Sequence, residues 1–268
     1  MGATDGTKMV QGKAEPAGGA ARHAVITGGG TGIGAAIARA LAREGSKVTV
    51  IGRRPSPIES VAAEVDGFAF AADVTDRSSV DAAFEAARLV HGPIEILVNC
   101  AGDAPSGKFA SISAEQWRST LAVNLDALFN CVQAGLTDLL SSPAGRIVTI
   151  SSTAGLKGYA YVAPYVAAKH GAIGLTRALA AEFASTGLTV NAVCPGFTDT
   201  ALVTRAVSTI GALTGRNEHS ARTELARFNP QRRLIEPEEV AAAVSWLCRL
   251  DSQSITGQAI AVAGGEVT

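Results

Sequence analysis

The sequence predicts an α/β fold in which helices cover both faces of one doubly wound parallel sheet. Short apolar runs with strand character alternate with longer segments of helical periodicity along almost the whole chain. A glycine-rich turn joins the first apolar run to the first helical segment, as is typical of ligand-binding sheets of this kind. Neither an internal repeat nor a linker divides the chain, so we expect a single domain over residues 22–268.

The composition excludes several classes of partner. Of the 268 residues, 47% are hydrophobic and 18% are charged, which suits a sizeable core, and the formal net charge is −1. Such a balance argues against a nucleic-acid or membrane-surface partner. Apolar runs stay well short of the roughly 20 residues that a membrane span requires. Residues 1–21 are rich in Gly, Ala and polar side chains and lack an apolar core, so they predict a disordered tail rather than a secretory signal.

Cysteine and histidine usage points to a cytoplasmic protein without a metal. The four cysteines have neither paired nor metal-like spacing, and three lie in segments that read as buried. We therefore expect four reduced thiols. The four histidines are scattered, so we expect no metal site.

The predicted elements follow one another in regular order. Strands are expected over residues 23–27, 47–51, 68–71, 94–99, 146–150, 188–193 and 259–263. Helices are expected over residues 33–43, 58–65, 76–90 and 113–140, with further helices opening at Pro164 and Pro237. Residues 200–231 show no steady period, and a segment of that length is typical of a substrate lid.

The turn over residues 27–34 reads Thr-Gly-Gly-Gly-Thr-Gly-Ile-Gly. Glycines let the backbone approach a pyrophosphate closely, and the N-terminus of the following helix favours its negative charge. Glycine spacing alone is equally compatible with a flexible turn that binds nothing. The strand before it and the helix after it favour a Rossmann-type dinucleotide site.

The second predicted strand ends in Gly52, Arg53 and Arg54. NAD-binding proteins often carry an acid there, whereas arginine forms paired hydrogen bonds with a 2′-phosphate. This favours NADP(H) as the cofactor. The alternative is a solvated strand end, and the glycine turn itself carries no basic residue, so NAD(H) stays open.

A hydroxyl, a phenol and an ammonium occur in order at Ser152, Tyr165 and Lys169. Four residues separate the last two, which places them on one face of a helix that opens at Pro164. A neighbouring ammonium favours the phenolate, so we expect the pKa of Tyr165 to lie below its usual value of about 10. A phenol of this kind exchanges protons with a substrate oxygen. The spacing on its own is a weak signal, because an amphipathic helix carries it by chance.

Together these residues resemble the classical short-chain dehydrogenase/reductase family, over nearly all of the chain after Arg22. The family's T-G-x-x-x-G-x-G turn matches Thr27, Gly28, Gly32 and Gly34. Its Asn-Asn-Ala-Gly motif matches residues 99–102 with Cys100 in place of one Asn. The cofactor-binding residues that the resemblance implies are Gly28, Thr31, Gly32, Ile33, Gly34, Arg53, Arg54, Asp73, Val74, Asn99, Ala101, Gly102, Tyr165, Lys169, Pro195, Gly196, Thr198 and Thr200.

The same resemblance implies a catalytic set of Asn124, Ser152, Tyr165 and Lys169, with Ser152 preferred to Ser151 because its distance to Tyr165 fits the family. In this family Tyr serves as acid or base, Ser binds the carbonyl oxygen, Lys holds the ribose hydroxyls, and Asn holds a water. A homotetramer built through the helices that carry Asn124 and Tyr165 is implied as well.

Residues 163–171 and 191–197 look like those of polyketide ketoreductases and bacterial 3-hydroxyacyl thioester dehydrogenases. The resemblance therefore implies an NADP-linked enzyme that interconverts a ketone and a secondary alcohol, with a 3-oxoacyl thioester or polyketide-like small molecule as its substrate. Alternatives are an NAD-linked catabolic dehydrogenase, a cofactor-binding partner subunit without catalysis and, more weakly, a methyltransferase.

Five further side chains lie near these motifs in the sequence. We interpret Tyr159 and Tyr161 as pocket walls and His170 as a packing residue. Lys157 and Arg205 are interpreted as solvated surface charges, with an anionic thioester tail as their alternative partner.

Overall fold

The computed structural model describes residues 21–267, so the predicted tail over residues 1–21 lies outside them except for its last residue. Seven parallel strands form one sheet in the order β3-β2-β1-β4-β5-β6-β7. They are β1 His23–Thr27, β2 Lys47–Gly52, β3 Phe68–Ala71, β4 Ile96–Asn99, β5 Arg146–Ile150, β6 Thr189–Pro195 and β7 Ala259–Val262. The predicted doubly wound sheet in a single domain is confirmed.

Nine α-helices lie within the described residues. They are α1 Gly32–Arg43, α2 Pro55–Glu64, α3 Arg77–His91, α4 Ala114–Leu121, α5 Ala127–Ser141, α6 Ala163–Glu182, α7 Ala201–Thr214, α8 Glu218–Ala226 and α9 Pro237–Cys248. Helices α1, α2 and α9 share one core cluster with the sheet, whereas α3, α5 and α6 share another.

Side-chain alternation along the strands divides these two cores. Ala24 and Ile26 of β1 belong to the cluster under α1, whereas Val25 between them belongs to the cluster under α5. All three are fully buried. A strand that is apolar at successive positions is expected where both faces of a parallel sheet are covered. This is why the apolar runs located the strands to within two residues.

Two of the predicted elements need correction. The single helix expected over residues 113–140 is broken by a π-helical turn, Ala122–Asp126, between α4 and α5. Residues 200–231 are not irregular, because α7 and α8 lie within them. Val203 and Val207 pack against Ala221 and Leu225 in a small cluster of their own. The β-branched residues and a glycine in α7 have low helix propensity and obscured its period.

Across residues 21–267, no helix combines the length and apolarity that crossing a bilayer requires. In the same range no three His, Cys, Asp or Glu side chains cluster as metal ligands. Cys131, Cys194 and Cys248 are buried as expected, and all four cysteines are free.

His23 is a buried titratable group at the start of β1, with 1% of its surface exposed. Nδ1 donates a hydrogen bond to the Gly92 carbonyl oxygen at 2.9 Å, and the Thr49 hydroxyl donates to Nε2 at 2.9 Å. Burial lowers the pKa of His23 to about 4, although the Gly92 bond opposes this shift. The neutral ring is therefore the folded form.

This burial predicts acid sensitivity. Between pH ~6.5 and ~4 the unfolded chain binds a proton at this position that the folded chain does not, so stability falls as the pH falls. We expect the free energy of unfolding to drop by about 3 kcal/mol more in the wild type than in His23→Gln from pH 7 to pH 4. Urea unfolding across this range measures it, with the exposed His219→Gln as control. Equal pH dependence in wild type and His23→Gln would contradict the assignment.

Candidate active site

The carboxyl ends of β1 and β4 meet at the centre of the sheet, where the chain winds away in opposite directions. Thr27 and Asn99 end these two strands and lie in register. The Thr27 hydroxyl accepts hydrogen bonds from the backbone N–H groups of Cys100 and Ala101 at 3.1 and 3.3 Å. The glycine turn and the loop after β4 are thereby tied together at the point where such sheets bind ligands.

The glycine turn is packed too tightly for side chains at two of its positions. Gly28 has φ +66°, and an added Cβ would lie 2.8 Å from the Ala101 Cα. A Cβ on Gly34 would collide with the Gly28 carbonyl oxygen. These contacts bring the start of α1 against the end of β1. The backbone of the turn is thereby exposed to the neighbouring cleft.

That cleft has a volume of about 440 Å³ and runs from the glycine turn to the end of β2. Glycine and alanine backbone, apolar side chains and a few polar side chains make up its surface. Its lining residues are Gly28, Gly30, Thr31, Gly52, Arg53, Arg54, Pro57, Ile58, Ala72, Asp73, Val74, Ala101, Gly102 and Val123.

The two arginines stand at the far end of the cleft. Both are exposed, and neither forms an ion pair with an acid anywhere in residues 21–267. Arg54 is the last residue before α2, and Pro55 opens that helix. Two uncompensated guanidinium groups at a cleft are suited to an anionic ligand such as a phosphate.

Two more polar residues of the predicted set lie here: Asp73 lines the cleft, and Asn99 lines a small pocket that shares Val74, Ala101 and Val123 with it. The Asp73 carboxylate accepts hydrogen bonds from the backbone N–H and the hydroxyl of Thr75, at 2.9 and 2.8 Å, which fixes its direction. Asn99 is 5% exposed, yet neither of its side-chain polar atoms has a partner within residues 21–267. A buried amide without partners costs free energy, so its presence beside the cleft fits a ligand-binding role.

Taken together, these residues fit a dinucleotide cofactor. Exposed backbone at a helix N-terminus suits the pyrophosphate, and the cleft extends from there to the two arginines at the end of β2. Thr200, at the start of α7, contacts the same turn, because its Cγ2 would lie 2.9 Å from a Cβ on Gly32. Thr198 is buried, and its hydroxyl donates to the Gly196 carbonyl oxygen at 3.0 Å.

The tight packing of the glycine turn leads to a direct prediction. Gly34→Ala places a methyl group against backbone, which cannot move aside cheaply, so we expect the Kd for a nicotinamide cofactor to rise at least tenfold. Fluorescence titration with NADPH measures this. Gly174→Ala is the matched control, because its Cβ would meet nothing within 4 Å on α6. An unchanged Kd in Gly34→Ala would show that the turn does not contact the cofactor.

Beyond the glycine turn, α6 and the end of β5 bring Ser152, Tyr165 and Lys169 together. Helix α6 opens at Ala163 with Pro164 in its first turn, one residue earlier than predicted. Lys169 Nζ lies 5.5 Å from the centre of the Tyr165 ring, so the expected shared helix face is present. Lys169 is 4% exposed and donates a hydrogen bond to the Ile150 carbonyl oxygen at 2.9 Å.

The choice between the adjacent serines can be made from their contacts. The Ser151 hydroxyl is buried and donates to the Lys169 carbonyl oxygen at 3.1 Å, so it faces the core. Ser152 is partly exposed, accepts from the Ala154 N–H at 3.1 Å, and lies beside Tyr165, where it opposes the rise in the pKa of the phenol. Ser152 is therefore the hydroxyl that accompanies the phenol.

The predicted pKa of Tyr165 is wrong in direction. Burial raises the pKa of Tyr165 to about 12, and Ser152 opposes this only in part. Burial also lowers the pKa of Lys169 to about 8. The desolvation of both groups outweighs the attraction that the sequence suggested. In this form of the protein the phenol holds its proton firmly through neutral pH.

Asn124 lies in the π-helical turn and is fully buried. Nδ2 donates to the carbonyl oxygens of Asp103 and Thr120 at 2.7 and 2.9 Å, whereas Oδ1 has no partner among the described residues. A Cβ on Gly102 would lie 2.8 Å from this oxygen and 3.6 Å from Lys169 Nζ. The amide oxygen and the ammonium therefore border the same small space beside Gly102.

The structure agrees only in part with the interpretation of the further side chains near the motifs. Tyr161 is 64% exposed, and His170 is exposed rather than packed. Lys157 forms an ion pair with Glu266 at 3.1 Å, and Arg205 forms one with Asp103 at 2.7 Å, so neither is merely solvated. Glu266 was missed altogether, since it lies 109 residues from Lys157 and no local pattern marks it.

Comparison with known proteins decides the family. The family described as short chain dehydrogenase matches residues 22–211, which is more than half of the chain. The chain belongs to the short-chain dehydrogenase family.

Individual relatives of this short-chain dehydrogenase cover nearly its whole length. The monensin polyketide synthase putative ketoacyl reductase of Streptomyces virginiae is 38% identical over 91% of this chain and 96% of its own. The 3-oxoacyl-acyl-carrier-protein reductase of Vibrio cholerae is 35% identical over 90% and 96%. A crystal structure of an actinorhodin polyketide ketoreductase variant with NADPH superposes with a TM-score of 0.89 at 33% identity, covering 92% and 97%.

Membership of this family makes the protein an NAD(P)-dependent oxidoreductase that interconverts ketones and alcohols. A bound nicotinamide would supply the hydride chemistry, and the protein contributes binding, orientation and electrostatics.

Proposed function

We propose that this short-chain dehydrogenase uses NADPH to reduce a 3-oxo group to a secondary alcohol on an acyl thioester or polyketide-like substrate. The observation that carries the proposal is the group formed by Ser152, Tyr165 and Lys169 beside a cleft that runs from the glycine turn to two arginines, neither of which forms an ion pair within residues 21–267. The substrate class rests on the relatives, which are ketoacyl reductases.

In this proposal Tyr165 is the acid for reduction and the base for alcohol oxidation. Its raised pKa keeps the phenol protonated at neutral pH, which is the form that can donate to a carbonyl oxygen as negative charge develops there. Ser152 binds the same oxygen and stabilises that charge. Lys169 holds the ribose hydroxyls of the cofactor with its ammonium group.

Asn124 is proposed to hold a water that connects Lys169 with solvent. Its Oδ1, which has no partner among residues 21–267, and the nearby ammonium are the acceptor and donor that such a water needs. This path returns the proton that Tyr165 gives away.

For the cofactor we propose the residues already predicted. Gly28, Thr31, Gly32, Ile33 and Gly34 contact the pyrophosphate, and Asp73, Val74 and Asn99 contact the adenosine. Ala101, Gly102, Pro195, Gly196, Thr198 and Thr200 surround the ribose, nicotinamide and inner phosphates. Arg53 and Arg54 bind the 2′-phosphate, so NADPH is preferred to NADH.

The assembly is proposed to be a homotetramer in the cytoplasm. Large apolar side chains are exposed on α4 and α5, with Trp117 38% and Phe129 51% accessible, which supports an interface there. Four unpaired thiols are typical of a reducing compartment.

A substrate panel tests the function. Keto-thioesters, cyclic ketones and simple alcohols are each assayed with both nicotinamides at equal concentration. We expect oxidation of NADPH with 3-oxoacyl thioesters at a kcat/KM at least tenfold above that of simple ketones. An NAD-linked catabolic dehydrogenase, the second candidate, would instead oxidise hydroxyacyl compounds with NAD, because the glycine turn carries no basic residue.

A further inference from the structure

The C-terminal segment buries a carboxylate next to the proposed active site. Glu266 follows the last strand by four residues, and its side chain is 1% exposed. Lys157 pairs with its Oε1 at 3.1 Å, and the Tyr159 hydroxyl donates to the same oxygen. Oε2 is buried without a partner among residues 21–267. Burying a charged group is costly unless it is paired and hydrogen-bonded, and Lys157 and Tyr159 provide these partners at Oε1.

Both partners of Glu266 lie in the loop between Ser152 and α6. The Tyr159 hydroxyl also hydrogen bonds with Thr153 Oγ1 at 2.7 Å, and Thr153 directly follows Ser152. Lys157 stands over the Tyr159 ring, 5.0 Å from its centre. Two hydrogen bonds therefore connect the carboxylate to the Thr153 side chain, and Thr153 is the neighbour of the residue that is proposed to bind the carbonyl oxygen.

The same carboxylate also borders the lid and the loop after β6. Tyr159 packs against Phe197 and Phe228, with ring centres at 6.1 and 5.8 Å, and Phe228 lies just after α8. A Cβ on Gly196 would lie 3.0 Å from Glu266 Oε2. The Ser152 loop, the lid and the β6 loop thus converge on one buried group.

We propose that Glu266 is a positioning residue that holds Tyr159 and Lys157 as a fixed wall of the substrate cleft, and so sets the affinity for the ketone. The proposal rests on the proposed function for the location of that cleft. Loss of Glu266 would therefore change how Tyr159 and Lys157 contact the substrate. Tyr165, Lys169 and the glycine turn would stay in place.

Glu266→Gln keeps the shape of the side chain and removes its charge. We expect the KM for a 3-oxoacyl thioester to rise about tenfold, with kcat and the Kd for NADPH within about twofold. Tyr159→Phe, which keeps the ring, is expected to shift KM in the same direction. Asp138→Asn is the matched control, because it breaks the ion pair with Arg88, 2.6 Å long, on the α3–α5 side of the sheet; it is expected to leave KM unchanged.

Hydrogen exchange separates this proposal from the proposed function, because it needs no turnover. In Glu266→Gln, amides of residues 152–162 and 226–230 are expected to exchange at least threefold faster, whereas those of β1 and β4 stay at the wild-type rate. Faster exchange in both segments supports the wall even if the wild type reduces no ketone. Unchanged exchange there overturns it, and so does an unchanged KM in an active enzyme.

Discussion

Tyr165→Phe is expected to lower kcat for ketone reduction by about 10³-fold while the Kd for NADPH stays within about twofold. The change removes one hydroxyl, the only atom of Tyr165 that is proposed to exchange a proton with the substrate. The ring that lies beside Lys169 is kept, so the packing of α6 persists. Single-turnover kinetics with NADPH in excess, together with fluorescence titration of the cofactor, measures both quantities.

The control for this variant is His170→Gln, which alters an exposed side chain on the same helix. Its kcat should equal that of the wild type. A Tyr165→Phe enzyme that turns over at the wild-type rate would remove the phenol from the reaction. Loss of cofactor binding in the same variant would instead show that Tyr165 is needed to build the site.

Arg53→Asp is expected to reverse the cofactor preference. Each hydrogen bond to a charged phosphate is worth roughly 1.5–3 kcal/mol, so kcat/KM for NADPH should fall by about 10- to 100-fold. The new carboxylate repels the 2′-phosphate and accepts hydrogen bonds from the ribose hydroxyls of NADH, so kcat/KM for NADH should rise. Arg54→Asp is expected to act in the same direction, because both arginines line the cleft.

Arg43→Asp makes the same change of charge at the other end of α1, on an exposed residue. It should leave the ratio of kcat/KM for the two nicotinamides unchanged. If Arg53→Asp also leaves that ratio unchanged, the two arginines are a solvated strand end and the preference for NADPH must have another origin.

Much of the fold could be predicted because burial and secondary structure agree along the strands. The run Arg146–Ile150 is buried at every position and was located without error. The helices within residues 200–231 could not be predicted in this way. Helix α7 packs against α8 and not against the sheet, through Val203 and Val207, so its apolar positions belong to a small satellite cluster. A helix that packs against one neighbouring helix needs fewer apolar positions than a helix that faces a large core, so its hydrophobic periodicity is weaker.

The site was predictable where the spacing of residues in a motif determines how their side chains are arranged. The four-residue spacing of Tyr165 and Lys169 fixes one helix face, and the structure places them 5.5 Å apart, ring centre to ammonium. The pKa of Tyr165 was not predictable, since it depends on how far the phenol is desolvated by elements distant in sequence. Glu266 was missed for a similar reason, because its partners in the Ser152 loop lie more than 100 residues away.

The central claim is that a hydride from the nicotinamide and a proton held by Tyr165 convert a ketone into an alcohol in this cleft. Reduction of a 3-oxobutyryl thioester with NADPH deuterated at the transferable position tests it most directly, with the product examined by mass spectrometry. The account predicts one deuterium on the carbinol carbon for each NADPH oxidised. Oxidation of NADPH without deuterium in the product, or no oxidation with any ketone by protein that binds NADPH, would contradict it.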